Sequence, residues 1–180
     1  MREELQHDLR AAGRTSNVML ARGVVLGLVG GLVGTIVMDL VLIGTLSAVG
    51  LPAVVSFSTI GDTAAGFFAL LGIDMAGGFP LGAAMHYLLG LVLGAIFGAG
   101  VSQVDALRAD TMKKGVVLAV VYIEVVSQPI LAASPILLKM TASETLLWFG
   151  VSAVMHLIWG AVLGAVVGYG LRVATAAKYN

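Results

Sequence analysis

Four ionisable residues lie inside long apolar segments of this sequence: Asp39, His86, Glu124 and His156. A charged side chain at the centre of a bilayer costs about 2.5–3.5 kcal/mol on insertion scales, so such residues usually face the interior of a helical bundle and pair with one another. Imidazole and carboxylate groups bind metal ions, exchange protons and form hydrogen bonds. These four residues are therefore the candidate functional site.

The residue types leave four uses of this cluster open. The first is a structural hydrogen-bond network that fixes the register of the helices. The second is a site for a divalent transition metal such as zinc, iron or manganese, although the Glu-x-x-His pairs of di-iron bundles are missing. The third is a proton or ion path. The fourth is haem b between His86 and His156, which needs two helices held well apart.

The sequence argues against several other kinds of chemistry. It contains no cysteine, which excludes disulfides, thiolate metal sites, iron–sulfur clusters and cysteine nucleophiles. Its serines and threonines show no partnered nucleophile arrangement, so we predict no catalytic residue and do not expect an enzyme. The formal net charge is zero, so no overall field favours nucleic acid as a partner.

The elements that carry these residues are membrane-spanning helices. The chain is 59% hydrophobic and 11% charged, with a mean hydropathy of +1.02, whereas soluble domains carry about 25% charged residues. Backbone in hydrocarbon must bond internally, so runs long enough to cross roughly 30 Å are helices. The sequence thus predicts an all-α, polytopic membrane protein with one four-helix domain over 23–172. The predicted spans are 23–50, 80–101, 115–138 and 146–172.

Basic residues predict the orientation of these spans. The N-terminal segment 1–22, the 102–114 connection and the tail 173–180, with the adjoining Arg172, carry nine of them, whereas the remaining connections carry only Lys139. The positive-inside rule therefore places both termini in the cytoplasm. We expect the protein in the cytoplasmic (inner) membrane of a prokaryote. The polar N-terminal segment lacks the features of a signal peptide and is typical of a surface helix, with Leu5, Leu9 and Ala12 on one side.

The connection 51–79 is apolar but interrupted by glycines, and Asp62 and Asp74 are its only charges. Irregular backbone cannot face lipid at depth. We therefore expect a short amphipathic helix at the outer interface, with Phe67 and Phe68 towards the acyl chains. A re-entrant lid over the bundle is the alternative.

An internal repeat relates the two halves of the chain. Residues 84–100 match residues 154–170 at nine of seventeen positions, at an offset of 70, and the helix starts 22–29 and 114–121 are also similar. The chain therefore reads as two tandem helical hairpins. Both hairpins enter the membrane from the same side, which predicts a pseudo-twofold axis along the membrane normal.

Glycines at steps of four form a small-residue face in the second and fourth spans. The GxxxG spacing lets helix backbones approach closely. His86 and His156 precede these rows by four residues, so both imidazoles should point into the bundle. The helix-packing glycines are Gly90, Gly94, Gly98, Gly160, Gly164 and Gly168.

Prolines and tryptophans give further expectations. Pro129 and Pro135 should kink the third span or end it early, which would free carbonyl groups. Trp148 lies where an interfacial anchor belongs, and Trp159 should pack deeper, in the bundle or against a partner.

The elements MHYLLGLVLGAIFG and MHLIWGAVLGAVVG, together with GTIVMDLVL in the first span, resemble the YagU-like group of small bacterial and archaeal membrane proteins. This resemblance implies four membrane helices with a histidine on the second and fourth, and it implies no activity. Two functional classes follow from the sequence as a whole. One is a stand-alone protein that uses the buried cluster to bind a metal ion or protons. The other is an accessory subunit of a larger membrane complex, such as a respiratory one. A haem-binding or transport protein is a further alternative, and a homo-oligomer is compatible with all of them.

Overall fold

A computed structural model of the protein describes the backbone of residues 2–52, 54–109 and 111–176, and the side chains of 17–52, 54–109 and 111–173. Over these ranges the chain forms α-helices and a single turn of 3₁₀ helix, and it contains no strand. The helices are α1 (Arg2–Ala48), α2 (Val54–Leu70), α3 (Phe79–Gln103), α4 (Met112–Leu137) and α5 (Ala142–Ala176).

Four of these helices are long and apolar enough to cross a membrane: Asn17–Ala48, Phe79–Gln103, Met112–Leu137 and Ala142–Val173. The predicted all-α class is confirmed, and the four predicted spans coincide with these four helices, because an apolar run of this length has few alternatives to a helix in lipid. Residues 2–22 belong to the same helix as the first span. The predicted apolar side of that segment (Leu5, Leu9 and Ala12) lies outside the described side chains.

Side chains at two helix starts explain where those helices begin. The Thr111 hydroxyl accepts the backbone N–H of Lys114 at 3.2 Å and caps α4. At the start of α5, the backbone N–H of Thr141 donates to the Glu144 carboxylate at 2.8 Å, and the N–H of Glu144 donates back to the Thr141 hydroxyl at 3.3 Å. This reciprocal pair is a capping box, which satisfies two otherwise free donors.

Helix α1 lies at the centre of the arrangement, since it packs along α3 on one side and along α5 on the other. Helix α4 packs on α5, whereas the backbones of α3 and α4 come close at few points. Helix α2 lies against α3 and reaches α4, so it covers one end of the gap between them. We call this the α2 end of the bundle, where α1 and α4 finish and α3 and α5 begin; the other is the opposite end.

Glycines lie where the helix backbones come closest. A Cβ atom added at Gly94 would meet the carbonyl oxygen of Gly27 on α1, and one added at Gly98 would meet that of Gly23. In the second pair of helices, a Cβ atom at Gly164 of α5 would meet the carbonyl oxygen of Gly115 on α4. Side chains at these positions would force the helices apart, so the glycines fix the spacing within each pair.

The deepest core lies between α1 and α5. Trp159 is only 3% exposed, and its indole Nε1 donates to Thr35 Oγ1 at 3.1 Å and to the Gly31 carbonyl oxygen at 3.2 Å. Leu163 and Val167 continue this face with no exposed surface. Trp159 therefore packs inside the bundle.

The short helix predicted in the 51–79 connection is present as α2, but it is docked on the bundle. A Cβ atom at Gly61 would meet the carbonyl oxygen of Gly78, and one at Gly82 would meet that of Phe57, so α2 runs antiparallel to the start of α3. Its N-terminal end consequently reaches down beside the second turn of α3. Phe67 is 52% exposed and Phe68 is half-buried; contact of these two side chains with acyl chains stays a prediction.

Candidate functional site

Asp39 and His86 form a buried pair between α1 and α3. Asp39 continues the row of small residues that packs α1 against α3, one turn beyond Thr35. Because a Cβ atom at Gly31 would already meet the carbonyl oxygen of Gly90, the backbones are close here, and two turns further along α1 the Asp39 side chain reaches His86. Asp39 Oδ1 lies 2.9 Å from His86 Nε2, and Asp39 is only 4% exposed.

This hydrogen bond limits the protonation states of the pair. An ionised carboxylate can only accept, so His86 Nε2 carries the proton whenever Asp39 is charged. If both ring nitrogens are protonated, the two charges cancel. Apolar surroundings favour a pair without net charge, because a lone buried charge loses its hydration. One exchangeable proton is therefore enough to switch the pair between neutral and negative.

The other carboxylate oxygen of Asp39 is unused. Oδ2 is buried and has no hydrogen-bond partner among the described residues. The Tyr87 side chain lies beside Asp39. The Phe57 ring of α2 packs edge-on against the His86 imidazole, with 5.6 Å between ring centroids. Oδ2 is thus a buried acceptor in a largely apolar setting, and the Tyr87 hydroxyl is a donor beside the same carboxylate.

His156 bonds to a different partner. Its Nδ1 lies 3.0 Å from the Ser127 hydroxyl, which joins α5 to α4. His156 is close enough to His86 for their charges to interact. Both histidines thus point into the bundle, as predicted, but each one bonds within its own pair of helices.

Glu124 lies on α4, one helical turn before the Ser127 that bonds to His156. It is two positions from Tyr122, whose hydroxyl donates to the Leu93 carbonyl oxygen of α3 at 3.0 Å. Residues two apart on a helix point about 200° apart, so Glu124 occupies the flank of α4 turned away from α3. Its Oε1 is buried and has no partner among the described side chains.

The structure thus brings Asp39 and His86 together and joins His156 to Ser127, whereas Glu124 Oε1 has no hydrogen-bond partner among the described residues. Within the described ranges, no group of three or more histidine, cysteine, aspartate or glutamate residues is arranged to bind a metal ion. The transition-metal site of Asp39, His86, Glu124 and His156, and haem b between the histidines, stay predictions.

A small cavity adjoins the pair, between α1, α2 and α3. Its volume is about 320 Å³, at the low end of ligand pockets. Asp39 and Tyr87 are its polar lining residues. The apolar lining comes from Ile36, Leu40, Ile43, Val54, Phe57, Phe79 and Ala83.

Two residues of the site, Tyr87 and Phe57, were not singled out from the sequence. Tyr87 directly follows His86, so proximity in sequence could have indicated it. Phe57 carried no such signal, since its position depends on the docking of α2 against α3.

Comparison with known protein families, with curated proteins and with solved structures gives no match to this chain.

Proposed function

We propose that this chain is a multi-pass membrane protein that takes up and releases a proton within the bilayer, at the Asp39–His86 pair. The observation that carries this proposal is the 2.9 Å contact between a 4% exposed carboxylate and an imidazole on two helices that are long and apolar enough to cross a membrane. Intramembrane ionisable residues usually mark proton or ion pathways, and histidine exchanges its proton at physiological pH.

The surroundings of the pair support proton exchange over metal binding. The partners of His86 and His156 differ, and no three metal-ligating side chains are grouped among the described residues, so a metal ion would need these side chains to rearrange. A proton needs no rearrangement, because donor and acceptor are already at hydrogen-bonding distance.

Infrared difference spectroscopy on the protein in lipid nanodiscs tests this proposal. Spectra between about pH 5 and about pH 8, where histidine titrates, should contain bands of both the carboxyl and the imidazole groups of the pair. Asp39→Asn should remove the carboxyl band and shift the imidazole band. His86→Gln should shift the carboxyl band.

Asp62→Asn is the matched control, because Asp62 is an exposed aspartate whose Oδ1 accepts the Gly78 N–H at 2.7 Å and lies outside the pair. It should leave both bands unchanged. Spectra of the unsubstituted protein and of Asp39→Asn that coincide throughout this pH range would refute the proposal.

We further propose that the two halves of the chain are tandem hairpins related by a pseudo-twofold axis. Equivalent contacts support it: a Cβ atom at Gly94 would meet the Gly27 carbonyl oxygen, and one at Gly164, 70 residues later, would meet that of Gly115. Gly115 thus takes the place of Gly27, one helical turn from Gly23, with which the similar helix starts align it.

The proposed orientation has both termini in the cytoplasm of a prokaryote, which rests on the basic residues at the opposite end of the bundle. Because the chain has no cysteine, a cysteine introduced at one position reports the exposure of that position alone. A membrane-impermeant maleimide added to intact cells should label Asp74→Cys, at the α2 end, and spare Asp105→Cys. The reverse pattern would invert the topology. A partner chain, in a homo-oligomer or a larger membrane complex, stays a prediction.

A further inference from the structure

We infer that the cavity between α1, α2 and α3 binds a lipophilic amine, with its ammonium group on Asp39 Oδ2 and its apolar chain along α2. This inference rests on the proposed function only in that both use the charged form of Asp39. We call this space the Asp39 cavity; its lining residues are given above.

The chemistry of the lining selects the head of the ligand. Asp39 Oδ1 is engaged by His86, whereas Oδ2 is buried and has no close hydrogen-bond partner among the described residues, with the Tyr87 hydroxyl as a weaker donor beside the carboxylate. An ionised carboxylate accepts hydrogen bonds and donates none, so the ligand must supply an N–H or O–H group. A cation also neutralises the buried charge, and charge-assisted hydrogen bonds are about twice as strong as neutral ones. An ammonium group meets both requirements.

The aromatic side chains around the carboxylate also favour a cation. Tyr87 lines the cavity beside Asp39, and Phe57 lines it from α2. Aromatic faces attract ammonium groups, most strongly where water is excluded. Phe57 is fixed by edge-on contacts with Phe79, at 5.4 Å between centroids, and with His86, so the wall of the cavity is already in place.

The apolar part of the lining determines which tail the ligand can have and from where it enters the cavity. Apart from Asp39 and Tyr87, the lining side chains are hydrocarbon. Leu40 is 66% exposed and Val54 is 44% exposed, so the cavity opens on the surface of helices that face lipid. A ligand that enters here must first partition into the bilayer. The volume of about 320 Å³ restricts it to a short chain.

Amine binding and proton binding compete for the same carboxylate. When the neutral Asp39–His86 pair accepts an ammonium group, the extra proton of the pair leaves and Asp39 stays ionised between the ligand and His86. Of the titratable groups that face Asp39, His86 and Tyr87 come from α3, and His156 of α5 lies in electrostatic range of His86. Among the cavity-lining residues, α2 contributes Val54 and Phe57 and no charge. Binding should therefore release about one proton per chain and weaken as the pH falls.

Calorimetric titration of the protein in lipid nanodiscs with octylamine tests this inference, with octan-1-ol as the uncharged probe of equal chain length. Buffers of different ionisation enthalpy report the number of protons released. We expect saturable binding of about one octylamine molecule per chain. The affinity for octan-1-ol should be at least tenfold lower. Asp39→Asn should abolish the saturable binding.

Ala83→Leu fills the cavity while Asp39 and His86 stay in place, so it should abolish octylamine binding without removing the infrared bands of the pair. Ala84→Leu is its matched control, because Ala84 is exposed and lies outside the cavity lining; binding should be unchanged. Equal affinities for octylamine and octan-1-ol, or octylamine binding that survives Ala83→Leu, would overturn the inference. If octylamine fails to bind while the Asp39 bands still titrate, the amine site is wrong and the proton site stands.

Discussion

Trp148 on α5 donates its indole N–H to the carbonyl oxygen of Leu131 on α4, with Nε1 3.1 Å from the oxygen. In a regular helix the residue four positions later would supply this hydrogen bond. That residue is Pro135, which has no N–H. The tryptophan side chain therefore replaces the missing backbone donor, and this explains how α4 continues to Leu137 through a proline that the sequence predicted would kink or end it.

Trp148→Phe should destabilise the protein by about 1 kcal/mol, because the Leu131 carbonyl then lacks a donor. In a Pro135→Ala background, residue 135 regains an N–H, and the same substitution should cost less. The difference between the two costs is the coupling energy of a double-mutant cycle, which thermal or denaturant unfolding in detergent measures. A coupling energy within error of zero would show that Trp148 does not replace the missing donor.

The spans and the glycine faces could be predicted because each depends on one segment at a time. An apolar run of about 20 residues has few alternatives to a helix in lipid, and a step of four residues defines one helix face. The partner of each polar side chain depends on which helices are neighbours. Asp39 meets His86 because α1 packs on α3, and His156 meets Ser127 because α5 packs on α4.

The position of α2 was the part of the fold that local sequence could least determine. Its apolar, glycine-rich composition is equally typical of an interfacial helix and of a docked one. Only the close approach of Gly61 to Gly78 and of Phe57 to Gly82 decides between them, and that depends on the start of α3. Phe57, and with it the wall of the Asp39 cavity, consequently could not be predicted from the sequence.

Gly94→Ala should destabilise the bundle by about 1–3 kcal/mol, because the new Cβ atom would overlap the Gly27 carbonyl oxygen and force α1 away from α3. Gly100→Ala on the same helix is the matched control. A Cβ atom there has nothing within 4 Å, so the change should be neutral or slightly stabilising. Thermal unfolding in detergent measures both. Equal melting temperatures for the two variants would contradict the close contact of α1 with α3.

Thr35→Val should destabilise the protein by about 1 kcal/mol, because it removes one acceptor of the buried Trp159 indole. Thr45→Val is the comparison on the same helix, since the exposed Thr45 hydroxyl donates only to the Val41 carbonyl oxygen; its cost should be near zero. The shape of the side chain is almost preserved in both substitutions. Unfolding midpoints that fall equally would show that the Trp159 bond contributes nothing specific.

The docking of α2 on α4 predicts a disulfide between Thr63→Cys and Ser134→Cys. The two hydroxyl oxygens lie 2.9 Å apart, so sulfur atoms in their places need to move little to reach the S–S distance of about 2.0 Å. Mild oxidation should therefore cross-link the pair, and cleavage of the chain between the two positions would show the bond as fragments that separate only under reducing conditions. Thr59→Cys with Ser134→Cys is the matched control, because Thr59 lies one helical turn away and its hydroxyl bonds to the Val55 carbonyl oxygen. If α2 instead lies in the plane of the membrane interface, both pairs should cross-link equally slowly, and that result would also remove the α2 wall of the Asp39 cavity.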